Sequence, residues 1–275
     1  MKADLHLHSV YSDGLCSPDE ICRIAAARGI SLVSITDHDT LAGLEVKSQA
    51  ALRHGLAYVS GWEVSAYAGV QQLHILGYGC EDGEAYKQFT EARKAASIAR
   101  AKDSVEKFRA LGIPVSFQEV LDRRSSVDLP VHTMHIARAA ATYLGIKDGE
   151  VYREYLAVGK PANSNIGRPS PEQAIDVIHE AGGIAVIAHP GRLRMSSEER
   201  DVTLRRLLAY GADGIECFYT THTDEETSYF LGIAKEFGVL ATGGSDTHYE
   251  DETHTIGAPS FTPSQALLDA LKIRF

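Results

Sequence analysis

The stretch ADLHLHSVYSDGLCSPDEICRIAAARGISLVSIT, residues 3–36, decides the fold class. Residues 3–8 have the pattern of a strand, and residues 30–36 are an apolar run typical of a buried strand. Between them, SPDE at residues 17–20 predicts a helix start, because Ser can cap it, Pro suits its first position and Glu completes a capping box. Gly29 ends that helix. A strand, a helix and a second strand predict a parallel pair with a crossover helix.

The same alternation recurs along most of the chain. Further strands are predicted at residues 56–63, 70–78, 184–188, 214–218 and 239–242, and further helices at residues 41–54, 170–181, 198–210, 224–237 and 264–272. Residues 84–160 differ, since they show helix patterns at 84–111, with a possible break near Ala96, and at 131–144 and 149–157. We expect one α/β barrel domain over residues 1–275, with 84–160 as a helical insertion. A separate helical domain is the alternative, but the alternation resumes directly after residue 160.

Composition excludes several classes of protein. The 275 residues are 44% hydrophobic and 23% charged, as in ordinary globular proteins. No apolar run approaches the ~18 residues of a membrane span, and no signal peptide is visible. The net charge of −10 weighs against long nucleic acids, which need a basic surface, but permits a small anionic substrate. Four scattered cysteines without a CxxC pair favour the reducing cytoplasm.

Twelve histidines are many for this length, and most follow predicted strands. The ionisable residues within or just after strands are His6, His8, Asp13, Asp37, His38, Glu63, His74, His189, His222, Asp246 and His248. In a barrel these positions share one rim, where active sites lie. His6 and His8 point to the same side of a strand, so together they can chelate a metal ion, and Asp246 with His248 repeats the spacing. Imidazole and carboxylate ligands suit Zn²⁺, Mn²⁺ or Fe²⁺, and Glu63 could bridge two ions.

Other polar residues have simpler interpretations. His54 and His179, in helices, and His254, in a loop, are expected to be ordinary core or surface residues. Asp4 is expected to orient a ligand histidine rather than to bind metal. Asp39 is expected to cap the following helix.

Four motifs occur in order along the chain: Asp4-Leu5-His6-Leu7-His8, Thr36-Asp37-His38-Asp39, His189-Pro190 and Ser245-Asp246-Thr247-His248. Over residues 1–260 the sequence resembles the PHP (polymerase and histidinol phosphatase) family of metal-dependent phosphoesterases. YSDG at 11–14, HILGY at 74–78 and GKP at 159–161 resemble a branch of small stand-alone enzymes acting on nucleotides or ribose phosphates. The resemblance implies a distorted (β/α)7 TIM-like barrel with a helical insertion.

The resemblance also implies two to three divalent ions of Mn, Fe or Zn. Carried over by position, the ligands are His6, His8, Glu63 and Asp246 for one ion, Glu63, His74 and His135 for a second, and Asp13, His38 and His248 for a third. His135 would make the insertion a wall of the site. His132 shares its helix face, but the HIA context favours His135. The branch often has a basic residue where this chain has Thr133.

Hydrolysis of a phosphate ester also needs a proton donor and cationic groups for the phosphate. His189 is the predicted catalytic proton donor, because histidine can be protonated near neutral pH. His222 is the second choice and a predicted substrate contact. Arg192 can bind phosphate oxygens with its forked guanidinium, and Lys160 supplies a point charge.

The leading hypothesis is a phosphoesterase that releases phosphate from a small phosphorylated ribose or nucleotide. The resemblance implies a nucleoside 3′,5′-bisphosphate, or a phosphoribosyl 1,2-cyclic phosphate with a 5-phosphate. The alternatives are a 5′→3′ exoribonuclease on short RNA, a metal-dependent C–N hydrolase on the same barrel, and a non-enzymatic scaffold. The intact ligand set weighs against a scaffold, and the basic pair favours phosphate. The oligomeric state is not predicted.

Overall fold

The computed structural model describes residues 1–68, 71–249 and 255–273. Its strands are β1 (Lys2–Leu7), β2 (Ile30–Ile35), β3 (Ala57–Tyr58), β4 (Gly61–Ala68), β5 (Gln71–Tyr78), β6 (Ile184–Ile187), β7 (Gly214–Tyr219) and β8 (Leu240–Gly244). Its helices are α1 (Pro18–Ala27), α2 (Leu44–Arg53), α3 (Glu84–Ala110), α4 (Phe117–Leu121), α5 (Thr133–Leu144), α6 (Asp148–Val151), α7 (Pro171–Glu180), α8 (Ser197–Tyr210), α9 (Asp224–Phe237) and α10 (Gln265–Ala270). A π-helical turn, Tyr152–Leu156, follows α6, and a 3₁₀ turn, Pro190–Arg192, follows β6.

The strands form two sheets. β1, β2 and β3 are parallel neighbours, and β4 to β8 form a second sheet in chain order. The sheets meet at two places: the His8 N–H donates to the Thr247 carbonyl at 3.0 Å, and the Asp39 N–H donates to the Glu63 carbonyl at 2.8 Å. The predicted mixed α/β class is confirmed. A single closed barrel is not, since the described strands make two sheets joined only by isolated bridges.

The prediction of parallel strands throughout is wrong at β5. β5 runs antiparallel to both β4 and β6. Ala68 pairs with Gln71, so only two residues separate β4 from β5, and a parallel crossover needs about a dozen or more. The strand predicted at 56–63 is in fact divided between the two sheets, as β3 and the start of β4. Glu63 therefore lies inside a strand and not at its end.

Amphipathic helices cover the sheets. The capping box predicted at Ser17 and Glu20 starts α1, and its buried Ile21 and Ala25 pack with the apolar side chains of β2. α7 places Ile175 and its neighbours in the largest cluster, against β4 and β5. Within the described residues, no helix has both the length and the apolar character needed to cross a membrane.

Residues between β5 and α7 are helical, as predicted. α3 runs without the break expected near Ala96. It packs with α4, α5 and α6 around a hydrophobic cluster of their own, which includes Phe108, Val120, Ile136 and Val151. The cluster explains why these helices need no strand to bury their apolar faces.

Asp39 does not cap α2, contrary to the prediction. The N-cap of α2 is Gly43, which makes no side-chain cap bond. Instead, Asp39 Oδ1 accepts the Ser65 N–H at 3.0 Å, and Oδ2 lies 2.8 Å from Nη2 of Arg93 on α3. This buried ion pair ties the helical segment to the loop after β2, and its partner lies 54 residues away, beyond the reach of a capping rule.

A second buried ion pair stabilises the loop after β1. Lys47 Nζ lies 2.6 Å from Asp37 Oδ2, and both side chains are fully buried. Asp37 also accepts the N–H and hydroxyl of Ser9 and the hydroxyl of Ser12. The pair therefore holds the segment that carries Asp13.

We expect Lys47→Met to lower the free energy of unfolding by about 3–5 kcal/mol, because it leaves the Asp37 carboxylate buried without its cation. Urea unfolding in EDTA measures the loss. Lys87→Met is the matched control: Lys87 lies 3.8 Å from Asp82 and both are more than half exposed, so its loss should stay below about 1 kcal/mol. Equal losses for the two variants would contradict the importance of the buried pair.

Candidate metal centre

Four fully or almost fully buried side chains meet where β1 and β8 end. His6 and His8 point to the same side, as their spacing predicted. His6 Nε2 lies 3.3 Å from both Glu63 Oε2 and Asp246 Oδ1, and His8 Nε2 lies 3.3 Å and 3.1 Å from the same two oxygens. Ligand atoms around a tetrahedral zinc ion, with bonds of ~2.0–2.1 Å, are separated by about 3.3 Å. These four residues therefore fit around one divalent ion.

Unpartnered polar atoms at this place support the fit. Among the described residues, the buried side-chain atoms without a hydrogen bond include His6 Nε2, His8 Nδ1 and Nε2, His38 Nδ1, Glu63 Oε2 and Asp246 Oδ1. A buried polar atom without a partner costs about 1–3 kcal/mol. Atoms of both ligand types converge here, which is the arrangement expected of a metal centre.

A second group surrounds Asp13. It contains His8, Asp13, His38 and His248, whose ligand atoms all lie within 4.8 Å of one another. His248 Nε2 is 3.3 Å from Asp13 Oδ1, and His38 Nε2 is 4.0 Å from Oδ2. The family resemblance implied the group Asp13, His38 and His248, and the structure places His8 beside them.

A third group lies on the other side of Glu63. His38 Nδ1 is 2.9 Å from Oε2, and His74 Nδ1 is 2.8 Å from Oε1. His189 Nε2 lies 2.9 Å from the same Oε1 and 3.3 Å from His74 Nδ1. Glu63 is thus shared between groups, as its two oxygens allow.

The histidines keep the central carboxylates ionised. Burial raises the pKa of Glu63, but His74, His6 and His38 outweigh it and hold that pKa well below its ordinary value. Burial likewise opposes ionisation of Asp246, whose pKa is nevertheless held well below normal by His6, His8 and His248. Negative charge is therefore concentrated where a divalent cation would balance it.

Arg192 reaches the centre but is tied to a carboxylate. Its Nη1 donates to Asp246 Oδ2 and to the Tyr219 hydroxyl, both at 2.9 Å. The Tyr219 hydroxyl donates to the same carboxylate oxygen at 2.9 Å. About half of the Arg192 side chain stays exposed toward the cavity that it lines.

Three residues predicted for the site lie differently from expectation. His135 accepts the His132 N–H at Nδ1, and its Nε2 is 3.1 Å from the Ser12 carbonyl, so both nitrogens face the backbone. His222 Nε2 accepts the Gly191 N–H, and its Nδ1 lies 3.0 Å from the Cys217 carbonyl. Lys160 pairs with Glu154 at 3.6 Å and is not among the cavity-lining residues.

The residues that were not expected to bind metal, His54, His179 and Asp4, lie outside the ligand groups. His54 contacts Asp19 at 3.3 Å, and His179 contacts Asp213 at 2.8 Å. His254 lies outside the described residues. Asp4 accepts the N–H groups of His6 and Ser245, so it joins β1 to the loop after β8.

A cavity of about 400 Å³ opens from the metal-ligand groups toward the helical segment. Six arginines line it: Arg100, Arg138, Arg153, Arg168, Arg192 and Arg194. Arg100 is buried, and burial, followed by the charges of Arg168 and Arg93, lowers its pKa to about 9. The cavity is therefore cationic although the chain carries a net charge of −10.

Sequence reasoning passed over His132 in favour of His135 and missed most of these arginines. His132 lines the cavity, its Nε2 has no hydrogen-bond partner among the described residues, and burial lowers its pKa to about 3. Arg93 and Arg100 are seven residues apart, so they lie on one face of α3, a signal that the sequence did contain. It also missed Glu216, a buried acid in the strand GIECFY.

Curated proteins with related sequences are enzymes of phosphate esters. The chain is 34% identical over 251 residues to a 3′,5′-nucleoside bisphosphate phosphatase of Chromobacterium violaceum, covering 90% of this chain and 88% of that protein. It is 32% identical to a 5′-3′ exoribonuclease of Haemophilus influenzae, covering 90% of each. It is also 32% identical to a phosphoribosyl 1,2-cyclic phosphate 1,2-diphosphodiesterase of Eggerthella lenta, covering 90% and 94%.

A solved structure shares the fold. A Chromobacterium violaceum protein described as an amidohydrolase, with bound sulfate and no metal, superposes with a TM-score of 0.87 at 30% identity, covering 99% of this chain and 96% of that one. The PHP domain family model matches residues 4–144, which include the first two of the four sequence motifs, at 4–8 and 36–39. With the geometry of the ligand groups, these similarities establish that the chain belongs to the PHP family.

Proposed function

We propose that this chain hydrolyses a phosphate ester of a small phosphorylated ribose or nucleoside and releases inorganic phosphate. One observation carries the proposal: three groups of histidine and carboxylate ligands share Glu63 and His8 and open directly into an arginine-lined cavity. The phosphatase and cyclic phosphodiesterase relatives support it.

We assign two or three divalent ions of Mn, Fe or Zn to these groups. When bound, such ions supply Lewis acidity toward water and toward phosphate oxygens. His6, His8, Glu63 and Asp246 would hold one ion, and Asp13, His38 and His248, with His8 beside them, a second.

For a third ion we replace His135 with His189. His189 Nε2 and His74 Nδ1 both lie within 3 Å of Glu63 Oε1, whereas the ring nitrogens of His135 face backbone groups. This assignment removes His189 as the free proton donor. His222 also has both nitrogens engaged, and its bond to the Gly191 N–H positions the turn that carries Arg192.

The remaining residues orient the substrate. Arg192 holds Asp246 with one nitrogen, and its exposed part faces the cavity, where it can bind a phosphate oxygen. His132, with an unpartnered nitrogen in the cavity wall, is available for a hydrogen bond to the substrate.

We assign a second phosphate of the substrate to the arginines on the helical side of the cavity. Arg168 lies over the Tyr67 ring at 4.5 Å and donates to the Thr133 hydroxyl at 3.3 Å. Arg100 donates to the Ile166 carbonyl at 3.1 Å. Neither has a carboxylate partner among the described residues, so an anion there would balance their charge. This replaces Lys160, which pairs with Glu154 instead.

We further propose that residues 1–275 form one domain, with 84–160 as an insertion that walls the site. The Arg93–Asp39 pair and a 2.8 Å bond from Arg138 to the Asp13 carbonyl support it. A distorted (β/α)7 arrangement remains part of this proposal, supported by the bridges between the two sheets. We place the protein in the cytoplasm, because buried Cys22, Cys80 and Cys217 are thiols rather than disulfides.

The exoribonuclease relative makes short 5′-phosphorylated RNA the second candidate substrate. The C–N hydrolase alternative has the amidohydrolase description of the solved structure in its favour. The cationic cavity favours phosphate esters over amides, because its six arginines can pair with a charged phosphate but not with a neutral amide.

A substrate panel tests the function. We expect a nucleoside 3′,5′-bisphosphate or a 5-phosphoribosyl cyclic phosphate to be hydrolysed with a kcat/KM at least about tenfold higher than the same compound without its 5′-phosphate, since remote binding energy positions the reacting ester. Phosphate release or product chromatography on metal-loaded protein gives the rates. Equal rates on the pair, or faster turnover of long RNA, would favour the exonuclease, and cleavage of amides alone the C–N hydrolase.

Glu63→Gln should lower both metal content and hydrolysis, because the shared carboxylate loses the charge that two groups of ligands use. Elemental analysis after purification measures the metal, beside the rate on the bisphosphate. Glu45→Gln, an exposed change on α2, is the control and should leave both values unchanged. Full metal occupancy in Glu63→Gln would refute the bridging assignment.

Arg168→Gln should lower kcat/KM for the bisphosphate by about 10- to 100-fold, as expected for one charged hydrogen bond of ~1.5–3 kcal/mol. The rate on the substrate without the 5′-phosphate should change little. Arg123→Gln, which alters an exposed arginine bonded to Thr142, should affect neither rate. An equal loss on both substrates would assign Arg168 to the reacting phosphate or to folding.

A further inference from the structure

Glu216 is a buried carboxylate between two histidines of the metal-ligand groups. It lies on β7 with no exposed surface. Its Oε1 is 3.0 Å from His6 Nδ1, and its Oε2 accepts the backbone N–H of His189 at 2.7 Å. His6 is its ion-pair partner, and no lysine or arginine pairs with it in the described part of the chain. A carboxyl group kept in the core without a lysine or arginine partner indicates a role at the site that it contacts.

We propose that Glu216 is a positioning residue that sets the tautomer of His6 and the backbone position of His189. The inference rests on the proposed function, because it takes the ligand groups to be a metal centre. It concerns a residue that contacts neither substrate nor metal and acts through two residues that do.

The tautomer follows from the two sides of the His6 ring. Nε2 faces Glu63 and Asp246 at 3.3 Å, on the metal side, and must present a lone pair there to bind a cation. The ring proton must then be on Nδ1, which faces Glu216. A carboxylate at that position accepts a hydrogen bond from the Nδ1–H group and makes the histidine a stronger metal ligand.

The backbone of His189 needs the other carboxylate oxygen. His189 has φ 28° and ψ 57°, in the left-handed region that costs a residue other than glycine about 1–3 kcal/mol. Its N–H is held by Glu216 Oε2 in this conformation, and its side chain reaches Glu63. The Glu216 carboxylate on β7 thus contacts residues at the ends of both β1 and β6.

Both groups that face Glu216 are donors, which makes glutamate different from glutamine here. A carboxylate offers two acceptors, whereas an amide offers one acceptor and one donor group. In Glu216→Gln, the oxygen can accept the His189 N–H only if the amide nitrogen faces His6 Nδ1. His6 Nδ1 must then accept, and its proton moves to Nε2, where it blocks the lone pair toward the metal. In the opposite orientation of the amide, its NH₂ group faces the His189 N–H, so two hydrogen-bond donors face each other.

The test compares wild type with Glu216→Gln loaded with Zn²⁺ alone, which is diamagnetic. In wild type, ¹H–¹⁵N spectra of histidine-labelled protein should show His6 protonated at Nδ1, with a downfield proton that is absent from His6→Gln. Competition with a chelator should show a 10- to 100-fold weaker Zn²⁺ affinity for Glu216→Gln. Glu45→Gln on the exposed face of α2 should match wild type in both measurements.

Each outcome decides a separate point. An unchanged Zn²⁺ affinity and an unchanged Nδ1 proton in Glu216→Gln would overturn the positioning role, even if the substrate panel succeeds. If Glu216→Gln fails to fold, the wild-type spectrum still decides, since a His6 proton on Nε2 would refute the tautomer. Wild type that binds Zn²⁺ but hydrolyses no phosphate ester would overturn the proposed reaction alone, and wild type that binds no Zn²⁺ would overturn both.

Discussion

The rest of the centre depends on the contacts between the Glu63 carboxylate and the histidines around it. Its two oxygens contact five histidines, His6, His8, His38, His74 and His189, at 2.8–3.3 Å. These histidines come from β1 and the residue after it, from the loops after β2 and β6, and from β5, so one buried charge joins both sheets. Burial raises the pKa of this carboxylate, but the surrounding imidazoles hold it well below its ordinary value, so the carboxylate stays ionised.

Two further sets of charged residues surround the ligand groups. Carboxylates that do not reach the cavity hold the ligands in place: Glu216 contacts His6, and Asp37, paired with Lys47, holds the segment before Asp13. Farther out, Arg100 and Arg168 line the cavity, and neither forms an ion pair with a carboxylate among the described residues. A concentrated negative centre beside a cationic wall suits a substrate whose phosphate must meet cations from both sides.

Sequence periodicity predicted the parts of the site that are local. His6 with His8, and Asp246 with His248, were paired from their i, i+2 spacing. The structure places His6 and His8 in one ligand group, and Asp246 and His248 in two neighbouring groups that share His8. The α/β class also followed from the alternation of strands and helices. His135 and Lys160 were assigned from their neighbours in sequence. In the structure the ring nitrogens of His135 face backbone groups and Lys160 lies beside Glu154, because the packing of a helix or loop decides where its side chains point. The reversal between β4 and β5 escaped because the general alternation was extended across it, although the six residues between the predicted strands 56–63 and 70–78 are too few for a parallel crossover.

By itself, the sequence determined the start of α1, the family motifs and most members of the histidine and carboxylate groups, because capping and strand alternation act over a few neighbouring residues. Only the tertiary structure decided that Glu63 lies within an antiparallel hairpin, that His189 contacts His74, and that Glu216 contacts His6 across 210 residues of the chain. Contacts at that separation depend on how strands and helices pack. They are set by burial and charge compensation in the folded chain, which no local pattern encodes.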